Sequence, residues 1–383
     1  MASILMVVDT APPQYGGAGQ QALFLADEMT ARGHSIDLIA RRKENVKPTH
    51  PDVRFVGPYV RSEFLSNVFF ALIVFRIILF ANVDVVHCHG GFYYGFTSAL
   101  ASKMRRIPMI LKVTLVGADD PLSVYEQRKF GFRIGRILVK QFDWAYAVIA
   151  LNPEIKSICH RYSESLNVIE IPNGIKIDAF RRAARIEFEE HFSTLKPVVI
   201  FTGDVCVRKG ADVLVRSWSS FIKEYPDGIL HLVGPIRDDV RKVLGEIPDS
   251  TRSKIKVHGL LTQKETIELL GESTVFVLPS HQEGLPNSLI EALGQGLSCV
   301  ASSIDVNRAV CLDAATYCNP ESSESVSSAL KIATERYLEM SRRALVRSND
   351  FDISAIANQY SELYDAIFTS NGASGRNSEE FLE

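Results

Sequence analysis

The chain has 383 residues, of which 46% are hydrophobic and 23% charged, with a formal net charge of −3 at neutral pH. That length accommodates two α/β domains, the balance excludes a disordered or fibrous chain, and the charge offers no broad basic surface to nucleic acid. Six cysteines, Cys88, Cys159, Cys206, Cys299, Cys311 and Cys318, lack C-x-x-C spacing and are read as reduced core residues. The apolar segment at residues 4–8 has no basic region before it and no small-residue cleavage site after it, which argues against secretion and for a cytoplasmic protein.

Short apolar runs alternate with helix-like segments from end to end, the pattern of parallel sheets covered by helices and hence of an α/β fold. The first strand is expected at residues 3–8. In the loop after it, DTAPPQYGGAGQQ, the glycines Gly16, Gly17 and Gly19 allow backbone to approach a ligand closely. A helix is expected over 17–29, with Leu23, Leu25, Ala26 and Met29 at helical spacing and Gly33 placed to cap it. The loop is not a dinucleotide fingerprint, since G-x-G-x-x-G is not satisfied and no acidic residue closes the next strand at Ile39 and Ala40. Further strands are expected at 34–40, 83–87, 109–113, 147–150 and 167–171, completing a first domain over residues 1–178.

Residues 64–83 are apolar apart from Ser66, Asn67, Arg76 and Asn82, and the run is long enough to span a bilayer. A charge such as Arg76 costs about 2.5–3.5 kcal/mol near the bilayer centre, so a span is disfavoured. A core or subunit-contact helix and a helix lying on a membrane surface both stay open. The next motif, DVVHCHGGFYYG, sets His87 and His89 on one side of a strand end. A metal reading lacks a nearby third ligand, leaving a packed histidine or one that faces a cleft.

Pro172-Asn173-Gly174 favours a chain reversal and places a hinge soon after it. A second domain is expected over 179–350, with strands at 198–203, 229–233, 255–258, 275–278 and 298–301. Its first strand ends at Gly203, and Arg208 and Lys209 precede Gly210 and a helix. Two cations at a strand's C-terminal edge suit a leaving diphosphate; a solvated turn is the plainer alternative. In LPSHQEGLPNSLIEALGQG, Pro286 suits the first turn of a helix, Glu283 lies in the loop entering it, and Glu291 lies more than one turn inside. The helix N-terminus favours an anion, and Glu291 can accept hydrogen bonds from sugar hydroxyls. A final helix at 351–368 carries Ile356, Tyr360, Leu363, Tyr364 and Ile367 on one face and is expected to cross back to the first domain. Asp350 and Asp352, a literal Asp-x-Asp, are assigned to capping it, and 369–383 is expected to be disordered.

On these residues the chain resembles the retaining glycosyltransferases of family 4, whose GT-B fold sets two Rossmann-like domains with parallel sheets facing a central cleft. The likeness is carried by two glutamates with seven residues between them in EGLPNSLIEALGQG, by the preceding VFVLPS, and by Lys209 before Gly210. It implies retaining transfer of a sugar from a nucleotide diphosphate sugar to a glycan or lipid-linked acceptor in polysaccharide or glycoconjugate synthesis. Because Arg208, Lys209 and the helix after Pro286 can neutralise the leaving diphosphate, the transfer is expected to need no metal and no cofactor. With the N-terminal segment and the apolar run at 64–83, the expectation is a cytoplasmic enzyme, free or peripheral on the inner membrane face. By the same resemblance Glu283 contacts the transferred sugar, the backbone of Gly284, Leu285, Pro286 and Asn287 the sugar and phosphates, and Glu291 the ribose hydroxyls. Gly16 and Gly17 face the donor phosphates, and His89 lines the acceptor side.

Two departures stand out. Asp204 occupies the place of an arginine that usually follows the glycine, so Arg208 is taken as its substitute, giving Glu283, Lys209 and Arg208 as the catalytic set. Where many members carry a histidine after the next strand, LKVTLVGADDP offers Asp119 and Asp120 as acceptor-side candidates. The rival readings are a nucleotide-sugar epimerase or phosphorylase on the same fold, and a non-catalytic nucleotide-sugar binder; acceptor-dependent product formation separates them.

Overall fold

Aliphatic and β-branched runs too short for helices form thirteen strands among the described residues; the inner ones are buried along most of their length because helices cover both faces of a parallel sheet, while the strands Val168–Glu170 and Ile255–Gly259 are not. The computed structural model describes residues 1–14, 16–114, 122, 132–183 and 196–376. Strands β1 (Ser3–Val8), β2 (Ser35–Arg41), β3 (Val53–Val56), β4 (Val85–His89), β5 (Met109–Val113), β6 (Ala147–Ala150) and β7 (Val168–Glu170) form one sheet in the order β3-β2-β1-β4-β5-β6-β7. Strands β8 (Val198–Thr202), β9 (Ile229–Val233), β10 (Ile255–Gly259), β11 (Val275–Leu278), β12 (Ser298–Ser302) and β13 (Ala315–Cys318) form a second, in the order β10-β9-β8-β11-β12-β13. All pairings are parallel. Strand order therefore reverses beside β1 and beside β8, and in such sheets ligands bind at the carboxyl ends of the strands at that point. Sequence periodicity did not reveal β3 and β13. Each has four residues and lies at a sheet edge, where the apolar signal is weakest.

The chain divides into two compact units, Met1–Gly174 with Ile353–Glu383, and Ile175–Asp352. The division precedes the expected 178/179 boundary because Ile175, Ile177 and Phe180 already belong to the second unit's core. The outgoing and returning chains run side by side: the Ile175 N–H donates to the Phe351 carbonyl at 2.8 Å, and Ile175 bridges Asp352. The final helix, Ile353–Arg376, inserts Ile356, Ala357, Tyr360, Leu363, Tyr364 and Ile367 into the first unit's core. It runs past 368 into the segment expected to be disordered, since a packed helix extends at the gain of one hydrogen bond per residue.

Helix α1 (Gly17–Ala31) follows β1, and Gly33 beyond it takes φ +88°, the left-handed conformation expected of it. Helix α2 (Glu63–Phe80) is capped by the Ser62 hydroxyl and packs on α3 (Tyr93–Arg105). It buries Ser66, Phe70, Ala71, Val74 and Ile78 while leaving Leu65, Phe69, Leu72 and Phe80 exposed. The apolar run is thus a core helix on one side only. All six cysteines are free, and five are buried.

The ends of β8 and β9 approach closely. Gly203 and Gly234 have φ +135° and +127°, and a Cβ on Gly234 would lie 1.9 Å from the Gly203 carbonyl oxygen. Backbone strain plus that clash should make Gly234→Ala destabilising by about 2–4 kcal/mol. A Cβ on helical Gly245 would meet nothing within 4 Å, so Gly245→Ala should be neutral or gain about 1 kcal/mol. Urea unfolding in a Trp144→Phe background, where Trp218 reports on the second unit, measures both.

Candidate active site at the ends of β8 and β11

Beyond β8 the chain passes through the turn Val207–Lys209 to Gly210, whose φ of +68° opens the helix Ala211–Glu224. A Cβ on Gly210 would lie 1.9 Å from the Pro279 carbonyl oxygen, so only glycine lets this loop press against the end of β11. Two ties lock the contact: the His281 N–H donates to the Arg208 carbonyl at 2.8 Å, and the Arg208 guanidinium donates to the Gln282 carbonyl at 2.9 Å. The loops thereby deliver Lys209 to Glu283, with Nζ 3.0 Å from Oε1 and the two side chains 14% and 6% exposed. Arg208 stands 3.9 Å from the other carboxylate oxygen and is 41% exposed. The Lys209 stem runs across Gly203, where a Cβ would meet it at 3.4–3.5 Å.

After Glu283 come buried Gly284 and Pro286 and half-buried Leu285 and Asn287, leading into the helix Asn287–Gln295. Pro286 is the residue immediately before the helix rather than within its first turn. No side chain caps this N-terminus and no acid lies in its first turn, so the backbone dipole there is not offset locally. Glu291, inside the helix, is half-buried. Desolvation pushes its carboxyl up to about 7, while the charge on Lys209 pulls it down. Lys209 therefore acts electrostatically on both glutamates.

Asp204 does not leave a gap in this site. Its carboxylate accepts two hydrogen bonds from Arg237, at 2.9 and 3.0 Å. Arg237 was not singled out from sequence, because it lies far along the chain in no motif. The partnership depends on the loops after β8 and β9 running together, with Val205 bridging Ile236. Arg208, assigned to the absent arginine's role, has its guanidinium on the Gln282 carbonyl.

In the first unit, Gly16 precedes α1 and Gly17 begins it, without side-chain cap or first-turn acid. A Cβ on Gly16 would lie 2.0 Å from the Thr10 hydroxyl, so the loop needs glycine for packing on β1's exit. His89 ends β4 but is only 1% exposed, stacked on His87 with ring centroids 4.2 Å apart. In this structure it faces no open surface, and the packed-histidine alternative describes its environment. His87 Nδ1 lies 2.8 Å from the Tyr364 hydroxyl, whereas neither ring nitrogen of His89 has a hydrogen-bond partner among the described residues. Beside it on β5, buried Lys112 lies over the Tyr360 ring at 5.4 Å. Burial, reinforced by Lys112, depresses both histidines, and burial alone pushes Lys112 down to about 7. Asp119 and Asp120 lie outside the described residues.

Comparison with known proteins matches residues 15–179 to the family described as Glycosyltransferase Family 4, and residues 196–335 to Glycosyl transferases group 1. An uncharacterized glycosyltransferase of Methanocaldococcus jannaschii is 28% identical over 53% of this chain and 51% of its own length. The Escherichia coli UDP-Gal:alpha-D-GlcNAc-diphosphoundecaprenol alpha-1,3-galactosyltransferase is 24% identical over 61% of each chain. The match thus spans about half to three fifths of these two relatives. It extends to 92% of this chain and 93% of the other for the Mycobacterium tuberculosis phosphatidyl-myo-inositol mannosyltransferase, at 24% identity. Among solved structures, sucrose-phosphate synthase from Thermosynechococcus elongatus superposes with a TM-score of 0.77 at 18% identity, covering 97% of this chain and all of that one. Anabaena HepE in complex with UDP and glucose gives 0.70 at 16%, covering 95% of this chain and all of that one. The chain belongs to the family 4 glycosyltransferases. Its two parallel-sheet units are those of the GT-B fold.

For this glycosyltransferase the strand ends of the second unit offer a half-buried cation, an uncapped helix N-terminus and a carboxyl group poised near neutrality. The raised carboxyl has a stability consequence. The unfolded chain gives up the Glu291 proton first, so between the ordinary carboxylate range and about 7 the folded form loses stability as pH rises. Glu291→Gln removes that loss. Its melting temperature should exceed that of the unaltered enzyme near pH 8, and the gap should close toward pH 5; scanning calorimetry across this range checks it.

Proposed function

We propose that this enzyme transfers a sugar from a nucleotide diphosphate sugar to a glycan or lipid-linked acceptor, with retention of anomeric configuration, without a divalent metal, and on the cytoplasmic side. The observation that carries the reading is the Lys209–Glu283 pair held beside the uncapped helix Asn287–Gln295. Lys209, with Arg208, would neutralise the leaving diphosphate, aided by the helix dipole and the backbone from Gly284 to Asn287. That is the charge a bound metal would otherwise supply. Glu283 orients the sugar, and Glu291 accepts hydrogen bonds from the ribose hydroxyls. Gly16 and Gly17 would present backbone to the donor phosphates. On sequence grounds Asp119 and Asp120 are the acceptor-side candidates, a role the buried ring of His89 supports less.

In the proposed step the bond from the anomeric carbon to the phosphate oxygen breaks and a bond to the acceptor oxygen forms on the same face. The acceptor's proton passes to the departing phosphate, leaving a nucleoside diphosphate. A uridine donor and a lipid-linked acceptor are supported by the galactosyltransferase relative, named for UDP-Gal and a diphosphoundecaprenol carrier, and by UDP in HepE.

Glu291→Ala should weaken UDP and UDP-sugar alike, roughly ten- to hundredfold, as expected for losing a charged hydrogen-bond acceptor; unchanged affinity in calorimetry removes that assignment. Glu283→Gln should lower turnover more than donor affinity. Proton NMR of the first-formed product, with excess chelator throughout and a panel of UDP- and GDP-sugars as donors, should show a retained anomer. An inverted anomer, or activity lost to chelator and restored by magnesium or manganese, overturns the mechanism.

A further inference from the structure

Along α2, Leu65, Phe69, Leu72, Arg76 and Phe80 recur at intervals of three or four and form a single stripe. The apolar members are exposed, from 42% for Phe69 to 80% for Phe80, with Phe64 exposed beside them. The opposite stripe, Ser66, Phe70, Val74 and Ile78, is buried, with the Phe70 ring 5.4 Å from that of Tyr94 on α3. The helix has a mean hydropathy of 2.0 over 18 residues, long and apolar enough to cross a membrane by composition alone. Its buried face rules that out, because crossing would strip α2 from α3 and open the connection between β3 and β4. What remains is a half-buried helix showing water an apolar stripe of the kind that marks an interaction site.

Charge identifies the occupant. The Arg105 guanidinium donates to the Leu79 carbonyl and ties the ends of α2 and α3 together. Around that tie Arg76, Lys103, Arg105 and Arg106 are all exposed, with Met104 among them. Among the described residues none of these four cations is in an ion pair. The nearby acids are engaged: Glu63 with Arg41 and Lys43, and Asp84 with the Ser3 N–H at 2.8 Å. Pairing two copies stripe to stripe would bury Arg76 and crowd two sets of cations. An anionic bilayer accepts both features, since the apolar side chains enter the headgroup boundary while long basic side chains stay at the phosphates.

The stripe begins at the rim of the first sheet. Buried Arg41, at the end of β2, donates to Asp9 after β1 at 2.8 Å and to Glu63 at 2.6 Å. Phe64 and Leu65 therefore start where the strand ends of this unit can receive a ligand. We propose that the α2 stripe and the cations at the ends of α2 and α3 seat the first unit on an anionic lipid surface, so that the acceptor is lipid-borne and is taken at the adjoining rim. Only the acceptor half rests on the transferase reading; the seating does not.

The test is flotation of the full chain with vesicles of anionic phospholipid and, separately, of zwitterionic phospholipid alone, without donor or acceptor. The unaltered chain should float with the anionic vesicles and much less with the zwitterionic ones. Leu65→Gln/Phe69→Gln/Leu72→Gln should reduce flotation at least tenfold, and Arg76→Gln/Arg106→Gln roughly tenfold, with a weaker salt dependence. Calorimetric UDP binding and melting temperature report whether each variant is folded. If the unaltered chain fails to float with anionic vesicles, or the triple variant floats equally well, the seating is wrong whatever the enzyme transfers. A dimer in light scattering that the triple variant alone dissolves, with flotation unchanged, assigns the stripe to a second copy. Flotation with no sugar transfer to any acceptor keeps the seating and fails the transferase mechanism.

Discussion

The approach of Gly210 to the Pro279 carbonyl is the constraint on which the site depends. Two loops from neighbouring strands meet without a side chain between them, and Arg208 then reaches the backbone at His281 and Gln282 while Lys209 reaches Glu283. Lysine and glutamate are 74 residues apart in sequence. Holding two flexible side chains together costs entropy, and here the fold has met much of that cost in advance through backbone packing. A nearly desolvated carboxylate 3.0 Å from an ammonium is also an environment in which neither charge can be removed singly without leaving the other exposed to a low-dielectric surrounding.

The first unit is organised around a different tension. Between its sheet and the final helix lies a layer of bases without a carboxylate partner among the described residues: His87, His89 and Lys112, facing the tyrosines Tyr360 and Tyr364. Such groups are tolerated because burial keeps the imidazoles neutral and draws the lysine toward neutrality. The layer joins the first unit's sheet to the final helix through aromatic contacts and the hydrogen bond between His87 Nδ1 and the Tyr364 hydroxyl.

Much of the fold was legible because parallel strands buried on both faces are continuous apolar runs, and β1, β5, β6, β9 and β11 have the bounds expected from sequence. The edge strands β3 and β13 were not, being short and partly exposed. In the site, Glu283, Glu291 and Lys209 were legible from local features, a glycine, a proline and helix periodicity around them. The pairing of Asp204 with Arg237 was hidden because it arises from two loops brought together by sheet order. His89 shows the converse: an H-x-H at a strand end looks functional, yet which sheet face receives a covering helix is decided by residues near 360.

The return of the final helix has a consequence for how the chain is made. The first unit buries Tyr360, Tyr364 and Ile367 against residues synthesised near the start. Until that helix leaves the ribosome, the face of β4 bearing His87 and His89 has no cover, whereas residues 175–352 already hold everything their own sheet requires. The unit written first is thus completed last. During synthesis its polar layer stays open to water, and the second unit is free to form ahead of it.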